Sequence, residues 1–112
     1  MEVDVEISRR YPVTANSPDF VRFAQKTTET LLGPGGYREV RAPMMGAEDF
    51  SYLLQKWPGT MFFWASSRKT PHSQRPPCHS NRMLLNEDGM VYGAALHAQI
   101  APDFLDAGFR GA

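Results

Sequence analysis

Two short stretches of this chain bring together side chains capable of chemistry, Gly46-Ala-Glu-Asp-Phe-Ser-Tyr52 and Pro77-Cys-His-Ser-Asn-Arg82. In the second, His79 offers an imidazole, which serves equally as a metal ligand or a general base. It stands between an apolar run and a helix start, where sites on α/β scaffolds collect. Asn81 and Arg82 lie beside it. A solvated loop accounts for them as well. Cys78 is a candidate nucleophile, but a lone cysteine is more often a packed small hydrophobe, and nothing nearby argues for an activated thiol. In the first stretch Gly46 permits a tight turn, and Glu48 and Asp49 fall at a helix start, where the helix dipole favours anions. That match explains both carboxylates without any function. His72 lies among Arg68, Lys69 and Arg75 and reads as solvated, whereas His97, four residues after Gly93 in the last helix, reads as packing or capping. Cys78, His79 and His72 lack zinc-finger spacing, so no self-contained structural zinc is expected.

The bulk composition narrows the classes to which these residues can belong. With 112 residues, 42% hydrophobic and 21% charged, the chain has globular composition and room for one modest domain. Its 12 basic and 12 acidic residues cancel, so it lacks the basic excess that nucleic acid or an anionic membrane would attract. A single cysteine excludes an intrachain disulfide. No apolar stretch approaches the roughly 20 residues of a membrane span. Residues 1–10 alternate acidic and apolar side chains, unlike a signal peptide, and the expected location is cytoplasmic.

The elements that must position the two stretches follow from periodicity and punctuation. Residues 3–7 (VDVEI) alternate with the period of a strand that has one buried face. No hairpin partner follows, which points to a piece of something longer. Ser17, Pro18 and Asp19 announce a helix as N-cap, first-turn proline and first-turn anion, with Phe20, Ala24, Thr27 and Leu31 on one face and Gly33-Pro34 as the stop. Residues 37–42 are a weak strand candidate. A second helix is expected over residues 47–56, burying Phe50, Leu53, Leu54 and Trp57, and the apolar run 60–65 (TMFFWA) reads as a strand covered on both faces. Trp57, Phe62, Phe63 and Trp64 therefore read as core. A polar loop over residues 66–77 follows, and a last helix runs from Asn86 to about Ile100, ended by Pro102 and followed by a fraying tail.

Taken in order, MGAEDFSYLL at 45–54, PGTMFF at 58–63, CHSNRM at 78–83 and NEDGMVYGAAL at 86–96 closely resemble the end of a family of metal-dependent amidohydrolases and peptidases. It includes N-acyl-amino-acid amidohydrolases (aminoacylases), hippurate hydrolase and the hydrolases of indole-acetyl-amino-acid conjugates. The resemblance extends from about residue 2 to residue 101. It implies an α/β fold: the carboxy-terminal part of a two-metal exopeptidase-like catalytic domain (residues 11–112), preceded by the last strand of a lid and dimerisation domain (residues 1–10). It implies that His79 is a ligand of a divalent metal pair, zinc or manganese, in the complete enzyme. Glu48 matches an acidic position that orients substrate or supports the metals, and Asn81 and Arg82 border the ligand.

The function implied is hydrolysis of the amide bond of N-acyl amino acids or related small-molecule amides by metal-activated water, in an enzyme that pairs as a homodimer through its lid. The remaining ligands and the general-base glutamate would lie upstream of Met1, so the chain alone is expected to be inactive. The chain departs from the family after the apolar run, where Ser66 to Lys69 lack an expected glycine and Trp64 replaces an aliphatic residue. Loop geometry and substrate choice are the properties this puts in doubt. The alternative is a stand-alone interaction module that keeps a remnant of the fold and offers its first strand to a partner's sheet edge.

Overall fold

A computed structural model describes residues 1–8, 10–64, 76 and 78–108. The expectations attached to Arg68, Lys69, His72 and Arg75, and the missing glycine of that loop, lie outside these residues, as does Ala65. The chain divides into two compact units, Met1–Met61 and Phe62–Gly111.

The first unit is organised by helix α1, Pro18–Leu32. Its start follows the local signals: Ser17 is the N-cap with extended backbone, Pro18 stands at the first helical position, where its missing N–H is not needed, and Asp19 pairs with Arg22 one turn on. Gly33, at φ 83°, ends it and returns its N–H to the Glu29 carbonyl at 2.9 Å. The buried stripe contains Ala24 and Thr27, as the spacing predicts, together with Thr28, whose hydroxyl donates to the Ala24 carbonyl at 2.7 Å. Leu31, expected on the same face, is exposed.

The entrance to α1 is tied to a segment more than forty residues away. The Ser17 N–H donates to the Gly59 carbonyl at 2.8 Å. The Asn16 amide donates to the Met61 carbonyl at 2.9 Å and accepts the Met61 N–H at 2.8 Å. One side chain thus does for Met61 what a neighbouring strand would do, satisfying both of its backbone polar groups. A second long-range tie is made by Tyr52, whose hydroxyl donates to the Arg10 carbonyl and whose ring stands 6.0 Å from that of Tyr11.

Helix α2 is shorter than the expected 47–56. It spans Phe50–Leu54, and Glu48 and Asp49 lie in the turn before it. Its buried residue is Ser51, while Leu53 and Trp57 are exposed and Phe50 and Leu54 are half-buried. The expected stripe is therefore covered only in part, at Phe50 and Leu54.

The second unit is built on a 3₁₀ turn, Glu87–Gly89, that runs into helix α3, Met90–Asp106. The helix continues through Pro102 instead of stopping there. Proline removes one backbone donor, but the carbonyl it strands belongs to exposed Ala98, which water can satisfy. Leu96, only 1% exposed, anchors the unit. A Cβ placed on Gly93 would meet the Trp64 ring at 3.9 Å, so the helix presents bare backbone to that indole.

The described residues contain no strand. The α/β expectation is met in its helices, but residues 3–7, 37–42 and 60–64 form no ladder. A strand exists only through hydrogen bonds to a neighbour, and none of these segments has one among the described residues. Val5 is 73% and Ile7 82% exposed, so the alternation is present without its covering layer. Phe63 and Trp64, expected as core, are exposed for the same reason. Ala24 and Leu96 are the only buried apolar side chains among the described residues.

Candidate functional site

The stretch carrying His79 is a tight double turn just ahead of the Glu87–Gly89 element. His79 is the only non-glycine residue with positive φ among the described residues, at 71°. Histidine tolerates the left-handed region better than branched residues do, yet the conformation is uncommon enough to mark the position. The chain then reverses through Ser80 to Met83, with the Met83 N–H donating to the Ser80 carbonyl at 3.0 Å and the Arg82 N–H donating to the Ser80 hydroxyl at 3.1 Å. Asn81 and Arg82 are the central residues of this turn, and both side chains are exposed, as is that of His79. His79, Asn81 and Arg82 are thus presented on one turn in the second unit.

Cys78, expected to pack as a small hydrophobe, is exposed instead. Ser80, the half-buried residue within the turn, was not singled out by the sequence patterns. A serine two residues ahead of the amide it receives is the local signal that identifies it. His97, expected to pack or cap, places its Nδ1 3.0 Å from the Gly93 carbonyl one turn back in α3.

Glu48 belongs to the first unit and is occupied locally. Its carboxylate accepts the Phe50 N–H at 3.3 Å, and its carbonyl receives the Ser51 hydroxyl at 2.5 Å and the Ser51 N–H at 3.3 Å. These bonds satisfy donors that the start of α2 would otherwise leave open. The carboxylate is half-buried, and the dipole of the short helix adds to the attraction.

Whether the described residues fit a metal is decided by their donor set. They contain no group of three or more His, Cys, Asp or Glu side chains able to hold an ion. His79 fits as a single neutral nitrogen donor on an accessible turn, whereas a catalytic site takes three protein donors or more.

The profile of Peptidase family M20/M25/M40 matches residues 2–103. The chain is 36% identical over 94 residues to the IAA-amino acid hydrolase ILR1-like 2 of Arabidopsis thaliana, covering 84% of this chain and 21% of that protein. It is 35% identical over 95 residues to the IAA-amino acid hydrolase ILR1-like 4 of the same plant, with 85% and 21% covered. Against the thermostable carboxypeptidase 2 of Saccharolobus solfataricus it is 35% identical over 94 residues, with 84% and 23% covered. The chain therefore spans about a fifth of the length of these curated relatives. No solved structure matches it.

Proposed function

Since this chain belongs to peptidase family M20/M25/M40, we propose that it is the carboxy-terminal part of a metal-dependent amidohydrolase that cleaves N-acyl amino acids or related amides, with His79 as one metal ligand. The observation that carries this reading is the family match over residues 2–103, a range that includes the turn presenting His79. In such an enzyme a bound divalent pair, zinc or manganese, supplies Lewis-acid polarisation of the amide carbonyl and an activated water near neutral pH. What this chain contributes is narrower. His79 donates one nitrogen; Asn81 and Arg82, exposed beside it, bind and orient the substrate carboxylate; Glu48 keeps the role its family position implies, orienting substrate, in addition to closing α2.

The proposal extends to the fold. Residues 3–7, with Val3, Val5 and Ile7 exposed in alternation, act as the last strand of a lid that pairs two subunits into a homodimer, and residues 37–42 and 60–64 join the catalytic sheet. Folding a chain costs about 1–2 kcal/mol of backbone entropy per residue. Against that cost, two fully buried apolar side chains among the described residues are a small core, which supports a larger protein that covers these faces. The same exposed alternation favours a second reading, a module that adds its first strand to a partner's sheet edge.

Two experiments separate these readings. Purified chain with added zinc or manganese is expected to leave N-acyl amino acids intact, and turnover that a His79→Ala control abolishes would overturn the partial-enzyme reading. In a longer polypeptide containing this segment, His79→Ala is expected to lose bound metal and activity, while Cys78→Ser retains both. Elemental analysis together with kcat decides the ligand. Metal lost from Cys78→Ser but kept by His79→Ala would place the ligand at the wrong residue.

A further inference from the structure

We infer that Ser51 is the positioning residue for Glu48, an inference that rests on reading the Glu48 carboxylate as one that orients substrate. Ser51 is fully buried, at 0% exposure, although its side chain is polar. A hydroxyl closed off from water must find its partner inside the protein. That partner is Glu48 itself, whose carbonyl accepts the Ser51 hydroxyl at 2.5 Å. The Ser51 N–H reaches the same carbonyl at 3.3 Å, just beyond the usual range for an amide donor. The hydroxyl is the shorter tie, so the side chain at residue 51, and not the backbone alone, decides how firmly residue 48 is held.

Among the described residues three hydrogen bonds end on Glu48, and together they close residues 48–51 into one turn. Two come from Ser51; the third runs from the Phe50 N–H to Glu48 Oε1 at 3.3 Å. The carboxylate reaches that N–H only while the backbone turns at 48–51, so the hydroxyl that holds the turn also sets where the carboxylate stands. Burial separates the two roles. Glu48 is half-buried and open to a ligand, whereas Ser51 has no exposed surface and acts only through Glu48. Support of this kind, from a packed side chain with its hydrogen bond satisfied, is what holds a substrate-contacting group in one geometry.

The test is nuclear magnetic resonance on the purified chain without metal, comparing two hydroxyl deletions in the first unit. Thr28→Val is the control, since the buried Thr28 hydroxyl also donates to a carbonyl, that of Ala24 at 2.7 Å, in a bond that does not involve Glu48. Couplings between the Glu48 α and β protons are expected to report one side-chain rotamer in the unsubstituted chain and in Thr28→Val, and an average over rotamers in Ser51→Ala. Exchange of the Phe50 amide is expected to quicken about threefold to tenfold in Ser51→Ala alone, the scale of one hydrogen bond. A serine with a merely structural role would lower the urea midpoint in Ser51→Ala, as Thr28→Val does, and leave both readouts at Glu48 and Phe50 unmoved; that result overturns the inference. If Ser51→Ala does not fold, the unsubstituted chain decides. A Ser51 hydroxyl proton resolved from water together with a single Glu48 rotamer supports the inference, and a hydroxyl merged with water or an averaged Glu48 overturns it. The substrate-orienting reading is judged separately, by kcat/KM of Glu48→Gln in a longer active polypeptide, so either can fail while the other stands.

Discussion

Substituting Glu48 distinguishes a carboxylate that closes a helix from one that also handles substrate. Its carboxylate makes one hydrogen bond to the α2 start, to the Phe50 N–H at 3.3 Å, near the long end of the normal range. Helix-capping side chains contribute about 0.5–2 kcal/mol. A long bond from a half-buried group on a five-residue helix belongs at the lower end, and on so short a helix the loss of charge adds the lower end of the dipole range, about 0.3–0.5 kcal/mol. Glu48→Ala is therefore expected to destabilise the chain by about 1 kcal/mol. Glu48→Gln keeps an acceptor oxygen and gives up only the charge, so its cost is expected to stay below about 0.5 kcal/mol. The bonds received by the Glu48 carbonyl survive both changes, because they are made by backbone.

The assay is urea unfolding followed by circular dichroism, with amide exchange at Phe50 as the local reporter. The capping account requires the order unsubstituted, then Gln, then Ala, with Phe50 exchange faster in the Ala variant alone. Equal costs for Gln and Ala, or unchanged Phe50 exchange in Ala, would refute it. In a longer active polypeptide the same pair reads function. If the carboxylate orients substrate, Glu48→Gln lowers kcat/KM by about tenfold or more, since a hydrogen bond to a charged group is worth about 1.5–3 kcal/mol; a purely capping Glu48 leaves kcat/KM nearly unchanged.

Asn16→Ala removes both side-chain bonds to Met61 and is expected to cost about 1–2 kcal/mol, read as a lower urea midpoint with faster exchange of the Met61 amide. Asn16→Asp keeps the acceptor but sets a carboxylate oxygen against the Met61 carbonyl, so near neutral pH it is expected to be no better than Ala. Leu96→Ala empties the one fully buried large apolar position among the described residues and is expected to cost about 2–5 kcal/mol. The check is loss of α3 dichroism at temperatures where the unsubstituted chain is folded, and a shift under about 1 kcal/mol would show that Leu96 is not the anchor of its unit.

Features that rest on neighbours a few residues apart are legible in the letters. Pro18 and Gly33 bound α1 because the proline at the first position and the positive-φ stop are settled within one turn, while Ser17 takes the extended N-cap backbone without a side-chain capping bond. Four motifs in order resemble the family, and the family match over residues 2–103 agrees. The dipole account of Glu48 was equally legible, because it requires only that a helix begin just after it.

Only the tertiary structure decided the rest. The clamp between Asn16 and Met61 joins residues 45 apart, and no local pattern announces which distant backbone an asparagine will satisfy. Residues 3–7 have the alternation of a strand, but a ladder is a property of two segments, and the second is not among the described residues. Trp57 and Phe63 are apolar enough for a core and stand exposed, since burial depends on what packs opposite. Pro102 reads as a helix stop, yet α3 passes through it, since one lost hydrogen bond at an exposed carbonyl does not outweigh the turns on either side. The left-handed backbone of His79 and the turn that Ser80, Arg82 and Met83 close after it are a geometry that the letters CHSNRM do not carry.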